Sequence, residues 1–191
     1  MLSPALLVRA YREGIFPMGM DGGEIGWFSP DPRGILPLDA FRVSTRLARV
    51  VRKGVFEVSV DRDFPAVMRA CAEDRDEGTW INDEILASYV ALHRAGAAHS
   101  IECWQDGRLA GGLYGVHLGG AFFGESMFHR VTDASKVALV TLVDVLTRNG
   151  FGLLDIQWVT PHLAQFGAVE IPRADYLARL KRALRDDCDF A

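Results

Sequence analysis

The sequence predicts a mixed α/β domain with a small N-terminal cap, and three observations support this prediction. Hydrophobic residues make up 49% of the 191 residues and charged residues 24%, which is the composition of a folded globular chain. Apolar residues recur at helical spacing in some segments and alternate in others, so both helices and strands are expected. A chain of this length fits one domain with at most a small appendage.

The first 43 residues differ in texture from the rest, and we predict that they form the cap. After an initial helix comes a glycine cluster, followed by Pro30 and Pro32. Each proline lacks a backbone donor and restricts the residue before it, so this segment is expected to be an ordered loop. Residues 44–191 are then the main domain.

Helices are indicated by apolar residues at spacings of three and four and by residues that favour helix starts. They are predicted at residues 5–13, 45–53, 64–75, 83–95, 134 to about 150, near 161, and 174–184. Asn82 or Asp83 is the expected N-cap of the fourth helix, and Asp133 is the expected cap of the fifth.

Runs of alternating or continuous apolar residues predict strands at residues 55–60, 99–105, 108–117, 121–128 and 152–159. Asp106-Gly107 predicts a two-residue hairpin turn, and Gly119-Gly120 predicts a second. An antiparallel meander, a long helix and a further strand follow one another in acetyltransferase-like folds. The predicted fold class is therefore α/β, acetyltransferase-like with a mixed sheet, which does not by itself indicate a function.

Asp155 and Gln157 are polar side chains two residues apart on an otherwise apolar strand. Strand geometry places both on one face. Because an unpaired buried polar group costs about 1–3 kcal/mol, the pair needs partners. Either the two side chains satisfy neighbouring backbone groups, or Asp155 polarises the Gln157 amide and that amide contacts a reacting amine.

A second candidate is Glu125, in the segment Gly124-Glu125-Ser126-Met127-Phe128. The segment lacks the trailing glycine of a hydrolase nucleophile elbow, so Ser126 is not expected to be a nucleophile. Glu125 is either a buried carboxylate that binds a cation or a residue at a surface rim.

The formal net charge of −4 argues against broad binding of nucleic acid, but it leaves room for a local basic face. The best candidates for phosphate contacts are Arg46, Arg49, Arg52 and Lys53, although such a run is usually a solvated helix face. Trp80 is either a core residue or a stacking platform for a base.

Other protein classes are disfavoured. Apolar runs are far shorter than the roughly 20 residues of a membrane helix. Neither the three cysteines nor the five histidines show the spacing of a metal site, so we expect a cytoplasmic protein with no metal and no membrane association. The loop at residues 128–134 has no glycine and carries Asp133, which would repel the phosphates of coenzyme A.

Eight segments in order resemble the leucyl/phenylalanyl-tRNA–protein transferases across nearly the whole chain. They are residues 10–18, 27–33, 79–81, 112–116, 124–128, 134–136, 155–157 and 162–168. The sequence departs from the family at Phe28, where a second tryptophan is usual, and at His129, where serine is frequent.

The resemblance implies transfer of leucine or phenylalanine from aminoacyl-tRNA to proteins that begin with arginine or lysine, which marks them for N-degron proteolysis. No cofactor is expected, because the aminoacyl ester is already activated. Asp155 and Gln157 are assigned to catalysis, Glu125 to the acceptor and Trp80 to the terminal adenosine. The expected pocket for the aminoacyl side chain consists of Leu113, Phe122, Met127, Leu139 and Leu142.

Two other functions are considered: a coenzyme A-dependent N-acetyltransferase, and a non-catalytic module that binds tRNA or N-degrons. The glycine-free loop argues against the first. Asp155 and Gln157 argue against the second, since binding alone requires neither.

Overall fold

A computed structural model describes residues 1–73 and 78–190 of the chain. The α-helices within these residues are α1 (Pro4–Arg12), α2 (Thr45–Arg52), α3 (Phe64–Ala72), α4 (Asp83–Arg94), α5 (Ala134–Arg148), α6 (Pro161–Ala164) and α7 (Arg173–Ala183). The strands are β1 (Phe16–Gly19), β2 (Ile25–Phe28), β3 (Arg33–Ile35), β4 (Glu57–Val60), β5 (Ala98–Gln105), β6 (Arg108–Leu118), β7 (Ala121–His129), β8 (Leu153–Gln157) and β9 (Val169–Ile171).

Seven strands form one mixed sheet in the order β4-β5-β6-β7-β8-β3-β9. Neighbouring strands are antiparallel, except that β7 and β8 run parallel and are connected through α5. Strands β1 and β2 form a separate antiparallel hairpin. The predicted mixed α/β fold with a mixed sheet is therefore confirmed.

Local sequence signals account for most of the turns and helix starts. Asp106 and Gly107 both have positive φ, 51° and 72°, as a tight turn between antiparallel strands requires. The Asn82 side chain accepts a hydrogen bond from the Ile85 N–H at 2.9 Å and so caps α4.

Asp133 is the N-cap residue of α5, as predicted, but it does not cap the helix through its side chain. Asp133 stands at the N-cap position with φ 70°, but its side chain makes no capping hydrogen bond. Instead, its two carboxylate oxygens accept hydrogen bonds from the Arg46 guanidinium, each at 2.6 Å. The ion pair between α2 and the start of α5 takes the place of the cap.

The N-terminal segment contains more strand than the sequence analysis expects. The expected loop includes β2 and β3, and β3 lies inside the main sheet, paired with β8 and β9. The boundary at residue 43 stays a prediction, but residues before it contribute a strand to the main sheet. The predicted helix 64–75 ends at Ala72, and Arg75 lies outside the described residues.

Two hydrophobic clusters cover opposite faces of the sheet. Because successive strand residues point to opposite faces, Phe122 belongs to one cluster and Phe123 to the other. Helix α5 packs in the cluster that contains Phe122, whereas α1, α3, α4 and α7 pack in the cluster that contains Phe123. In the part of the chain that the structure describes, no helix is long and apolar enough to cross a membrane.

Candidate functional site

A cavity of about 540 Å³ opens where β7 and β8 separate. Their parallel pairing includes the pair Phe123 and Asp155, after which β7 continues to His129 and β8 to Gln157. Residues from these two strand ends line the cavity together with residues of α5 and β1. The cavity is therefore lined by residues from both sides of the sheet.

Most of the predicted site residues lie together in this cavity. The predicted residues among its lining are Trp80, Leu113, Glu125, Met127, Leu139, Leu142 and Gln157. Phe122 is different, because it is fully buried and its ring stacks on Phe190 with centroids 5.1 Å apart. It precedes the point where the strands separate, so core side chains cover it.

The sequence analysis did not assign several residues that also line the cavity, among them Phe16, Met18, Trp158 and His162. Phe16 and Met18 lie on β1, where Pro17 hides the strand pattern. Trp158 directly follows Gln157, and this proximity in the sequence is the local signal that indicates Trp158 as a residue of the cavity. The Trp158 ring packs edge-on against the Phe16 ring, with the two ring centroids 5.4 Å apart.

A β-bulge directs Glu125 into the site. Tyr114 pairs with Ser126 and Gly115 pairs with Gly124, so Glu125 is an extra residue on β7. Such a bulge disrupts the alternation of side chains and can re-aim one of them. The result here is a carboxyl group at the cavity wall.

Two tyrosines hold the Glu125 carboxyl. The Tyr11 hydroxyl donates to Oε1 at 2.7 Å and the Tyr89 hydroxyl donates to Oε2 at 3.4 Å, and the two hydroxyls also contact each other. Burial raises the pKa of Glu125 to about 8, although the hydrogen bond from Tyr11 opposes this. The carboxyl is therefore mostly protonated at pH 7.

Asp155 and Gln157 contact each other through the backbone. The Gln157 N–H donates to Asp155 Oδ1 at 2.9 Å, whereas the Gln157 side-chain amide nitrogen donates to Glu125 Oε1 at 3.4 Å. Asp155 therefore does not polarise the Gln157 side-chain amide in the way that the sequence analysis expects.

Gln157 has a left-handed backbone conformation, with φ 58°. This conformation is uncommon for a residue other than glycine. The following N–H, of Trp158, donates to the carbonyl of Ile156 at 2.6 Å and closes a tight turn around Gln157. Strand β8 thus ends by turning Gln157 toward the cavity.

Arg33 was not identified from the sequence, and it is the cationic partner of Asp155. Its Nε and Nη2 donate to the two carboxylate oxygens at 3.0 and 2.7 Å, and both side chains are completely buried. The two residues are 122 positions apart, so no spacing in the sequence indicates the pair.

The predicted basic run lies on and next to α2. Arg49, Arg52 and Lys53 are exposed, whereas Arg46 is engaged by Asp133. All four predicted phosphate contacts are therefore at the surface, and of these four Arg46 is the residue held in an ion pair with Asp133 at the start of α5.

Comparison with protein families decides the relationship that the motifs suggest. The family model described as leucyl/phenylalanyl-tRNA protein transferase matches residues 35–181, and the model of the N-terminal domain of that family matches residues 1–31. The chain belongs to this family. The resemblance drawn from the eight segments is thus confirmed.

Curated members of the family match over the full length. The leucyl/phenylalanyl-tRNA–protein transferase of Rubrobacter xylanophilus is 59% identical over 191 residues, covering 100% of this chain and 99% of that protein. The transferase of Ruegeria pomeroyi is 56% identical over 192 residues, covering 100% of this chain and 90% of that protein.

A solved ribosomal-protein-alanine N-acetyltransferase from Brucella melitensis biovar Abortus aligns with 52% of this chain and 76% of its own chain. The TM-score is 0.38 and the identity is 16%. A similarity this low carries no argument about fold or function.

Proposed function

We propose that the chain transfers a leucyl or phenylalanyl group from aminoacyl-tRNA to the N-terminal amine of proteins that begin with arginine or lysine. The observation that carries the proposal is the meeting of Gln157 and Glu125 at the wall of an otherwise largely apolar cavity, in a chain of this family. The product would be an N-degron that directs its protein to degradation, and the reaction would occur in the cytoplasm, where charged tRNA is available.

The apolar part of the cavity fits the side chain of the transferred amino acid. Leu113, Met127, Leu139 and Leu142 line it, and their smooth surfaces suit a side chain that is unbranched at Cβ. A single deep recess can hold either leucine or phenylalanine. Excluding valine then depends on the shape of the recess near Cβ.

Gln157 is placed to manage the attacking amine. Because its amide nitrogen donates to Glu125, its side-chain carbonyl oxygen is the atom that can accept a hydrogen bond from the amine. The amine nitrogen attacks the ester carbon, the bond between that carbon and the ribose oxygen breaks, and a proton passes from the amine to the ribose oxygen. Positioning can supply most of the acceleration, because the ester is already activated.

Glu125 is the proposed contact for the cationic N-terminal residue of the acceptor. A cation beside this carboxyl favours its ionised form. Since the pKa of Glu125 is raised to about 8 by burial, binding of the acceptor would release a proton at pH 7. The two tyrosine donors remain able to stabilise the resulting carboxylate.

The donor tRNA would use two further parts of the chain. Trp80 lines the cavity and would stack on the terminal adenosine, a contact worth about 1–3 kcal/mol per base. Arg49, Arg52 and Lys53 would contact phosphates from α2, and Arg46 would do so only if its ion pair with Asp133 opened.

The acetyltransferase-like character of the fold is part of the same proposal, supported by the separation of β7 and β8 around the cavity. Coenzyme A is a poor fit to this version of the fold. The carboxylate of Asp133 lies at the start of α5, where a pyrophosphate would be bound by backbone N–H groups.

The test is transfer of labelled leucine from charged tRNA to a peptide that begins with arginine. The matched control is the same peptide with alanine as its first residue, and acetyl-coenzyme A replaces the charged tRNA in a third reaction. We expect label only in the arginine peptide, and only from charged tRNA. Label in neither peptide, or acetylation by coenzyme A, would refute the proposed function.

A further inference from the structure

The carboxylate of Asp155 has all of its hydrogen-bonding capacity occupied by protein. Oδ1 accepts from Arg33 Nε at 3.0 Å and from the Gln157 N–H at 2.9 Å. Oδ2 accepts from Arg33 Nη2 at 2.7 Å and from the Tyr176 hydroxyl at 2.7 Å. A carboxylate offers about four acceptor sites, so none remains for a substrate amine or for the Gln157 side chain.

Arg33 is itself fixed on every side. Its Nη1 donates to the carbonyl of Gly14 at 3.0 Å, and its guanidinium lies between the rings of Phe16 and Tyr176, at 4.9 and 4.4 Å from their centroids. Burial would lower the pKa of Arg33, but the hydrogen bonds and the charge of Asp155 outweigh this and raise it. The guanidinium is therefore a permanent cation held in one orientation.

The cluster formed by Arg33, Asp155 and Tyr176 adjoins the turn that presents Gln157. Gly34, next to Arg33 on β3, pairs with Gln157, and a Cβ atom at Gly34 would lie 2.7 Å from the backbone carbon of Trp158. The backbone of β3 therefore passes directly against the left-handed turn. Any movement of Arg33 or Asp155 would be transmitted to the Gln157 N–H.

We propose that Arg33 and Tyr176 are positioning residues for the transfer reaction: they fix Asp155 so that it holds the Gln157 N–H and keeps the Gln157 side chain directed into the cavity. Asp155 is then a fixed anion that supports the turn and does not carry a proton during the reaction. This inference rests on the proposed function, because it concerns the same site. It assigns roles to two residues that the sequence analysis did not identify.

Two substitutions separate the interactions. Tyr176→Phe removes one donor to Asp155 and keeps the ring against Arg33. Arg33→Lys keeps the charge, but an ammonium group cannot match the two parallel hydrogen bonds of a guanidinium. Arg179→Lys is the matched control, because Arg179 is an exposed residue of α7, the helix that carries Tyr176.

The experiment measures transfer of leucine from charged tRNA to an arginine peptide between pH 6 and 9, with thermal unfolding as a check on folding. We expect kcat to fall about tenfold in Tyr176→Phe and further in Arg33→Lys, with KM for donor and acceptor within about twofold of wild type. The shape of the pH–rate profile should stay that of wild type, since the lost groups carry no reacting proton. Hydrogen exchange of the Gln157 backbone N–H should be faster in Tyr176→Phe than in wild type.

Three results would overturn the proposal: an unchanged kcat in Tyr176→Phe, a loss expressed only in KM, or a pH–rate profile shifted along the pH axis. If Arg33→Lys does not fold, Tyr176→Phe alone decides the question. A wild-type protein that transfers no leucine would instead refute the proposed function, so the two failures are distinguishable.

Discussion

At Gln157, the backbone and the side chain are held by different residues. The N–H is bound by Asp155 and the side-chain amide by Glu125, in a backbone conformation that few residues other than glycine adopt. A conformation of this kind costs about 1–3 kcal/mol and persists only when its surroundings enforce it. Here the hydrogen bond from the Gln157 N–H to Asp155 and the pairing of Gln157 with Gly34 hold the backbone in place.

Gln157→Ala should remove most of the transfer activity, by about 100-fold, because proton management contributes roughly 10²–10⁴-fold in such reactions. Binding of charged tRNA should stay near the wild-type level, since the amide contacts the amine and not the nucleic acid. Single-turnover transfer and filter binding measure the two effects. Gln105→Ala, at the C-terminal end of β5, is the control. Equal transfer rates for wild type and Gln157→Ala would contradict the mechanism.

Glu125 should make the stability of the protein depend on pH. Because burial raises its pKa in the folded chain to about 8, the folded state keeps a proton that the unfolded state loses near pH 4.5. The free energy of unfolding should therefore fall as pH rises through this interval, by on the order of 2–3 kcal/mol between pH 5.5 and 8.

Urea unfolding of wild type and Glu125→Gln at several pH values measures this contribution. The free energy of unfolding of wild type should decline relative to that of Glu125→Gln up to about pH 8. Above that pH, the two free energies should change in parallel. Glu24→Gln, at an exposed position, should follow wild type throughout. Parallel curves for wild type and Glu125→Gln from pH 5.5 onward would show that the carboxyl is ionised in the folded protein.

At the scale of elements, the divergence of β7 and β8 creates the recess that we propose for the aminoacyl side chain. Met127 lies on β7 beyond the part that pairs with β8, and it lines the cavity, half-buried. Its flexible side chain can fill the end of a recess that leucine does not fill completely. This makes it the residue whose size should influence the choice of amino acid.

Met127→Ala should shift the preference toward bulkier side chains and weaken the use of leucine. A change of this size discriminates by about 1–3 kcal/mol, so the preference should shift without complete inversion. The ratio of kcat/KM for leucyl, phenylalanyl and valyl donors measures it. Met20→Ala, on the exposed hairpin turn, should leave the ranking as in wild type; an unchanged ranking in Met127→Ala would place the aminoacyl pocket elsewhere.

The elements that the sequence predicts are those with a local signal. The hairpin at Asp106-Gly107 and the cap at Asn82 each depend on a few adjacent residues. Strands β3 and β9 have three residues each, too few for an alternating pattern, and they exist because the main sheet offers them partners. Sequence patterns cannot show a pairing that tertiary contacts alone enforce.

The site divides in the same way. Gln157 and Glu125 stand out because polar residues in apolar strands are visible in the sequence, whereas the apolar residues were named together with the family resemblance. Most of these residues line one cavity, and their roles stay predictions. The bulge that turns Glu125 inward and the burial of Arg33 beside Asp155 were not predicted, since both depend on strands far apart in the chain. Phe122 was misplaced because alternation gives the face of a strand residue but not what covers that face.

At the scale of the whole molecule, a chain with net charge −4 must bind a polyanion through one local surface. The exposed Arg49, Arg52 and Lys53 of the α2 region are the proposed surface. Each phosphate that they neutralise adds about 0.7–0.9 to the slope of log affinity against log salt. Few contacts imply a shallow dependence on salt.

Reversing Arg49 and Arg52 together to glutamate should weaken binding of charged tRNA and flatten its salt dependence. Transfer from a small aminoacyl-adenosine donor should stay near wild type, because such a donor would contact the Trp80 side of the site and carries no tRNA phosphates for α2 to bind. The charge-matched control reverses Arg179 and Arg182 on α7. If both donors are affected equally by the α2 reversal, the run is structural and the tRNA lies on another surface.

The bonds around Arg33 also determine when activity can first arise during folding. Arg33 bonds to Gly14, to Asp155 122 residues away and to Tyr176 143 residues away. Contacts of such sequence separation form late, because the entropy of closing long loops must be overcome first. A nascent chain therefore cannot complete the cluster of Arg33, Asp155 and Tyr176 before Tyr176 has left the ribosome, and full transfer activity should be reached only in the last stage of folding.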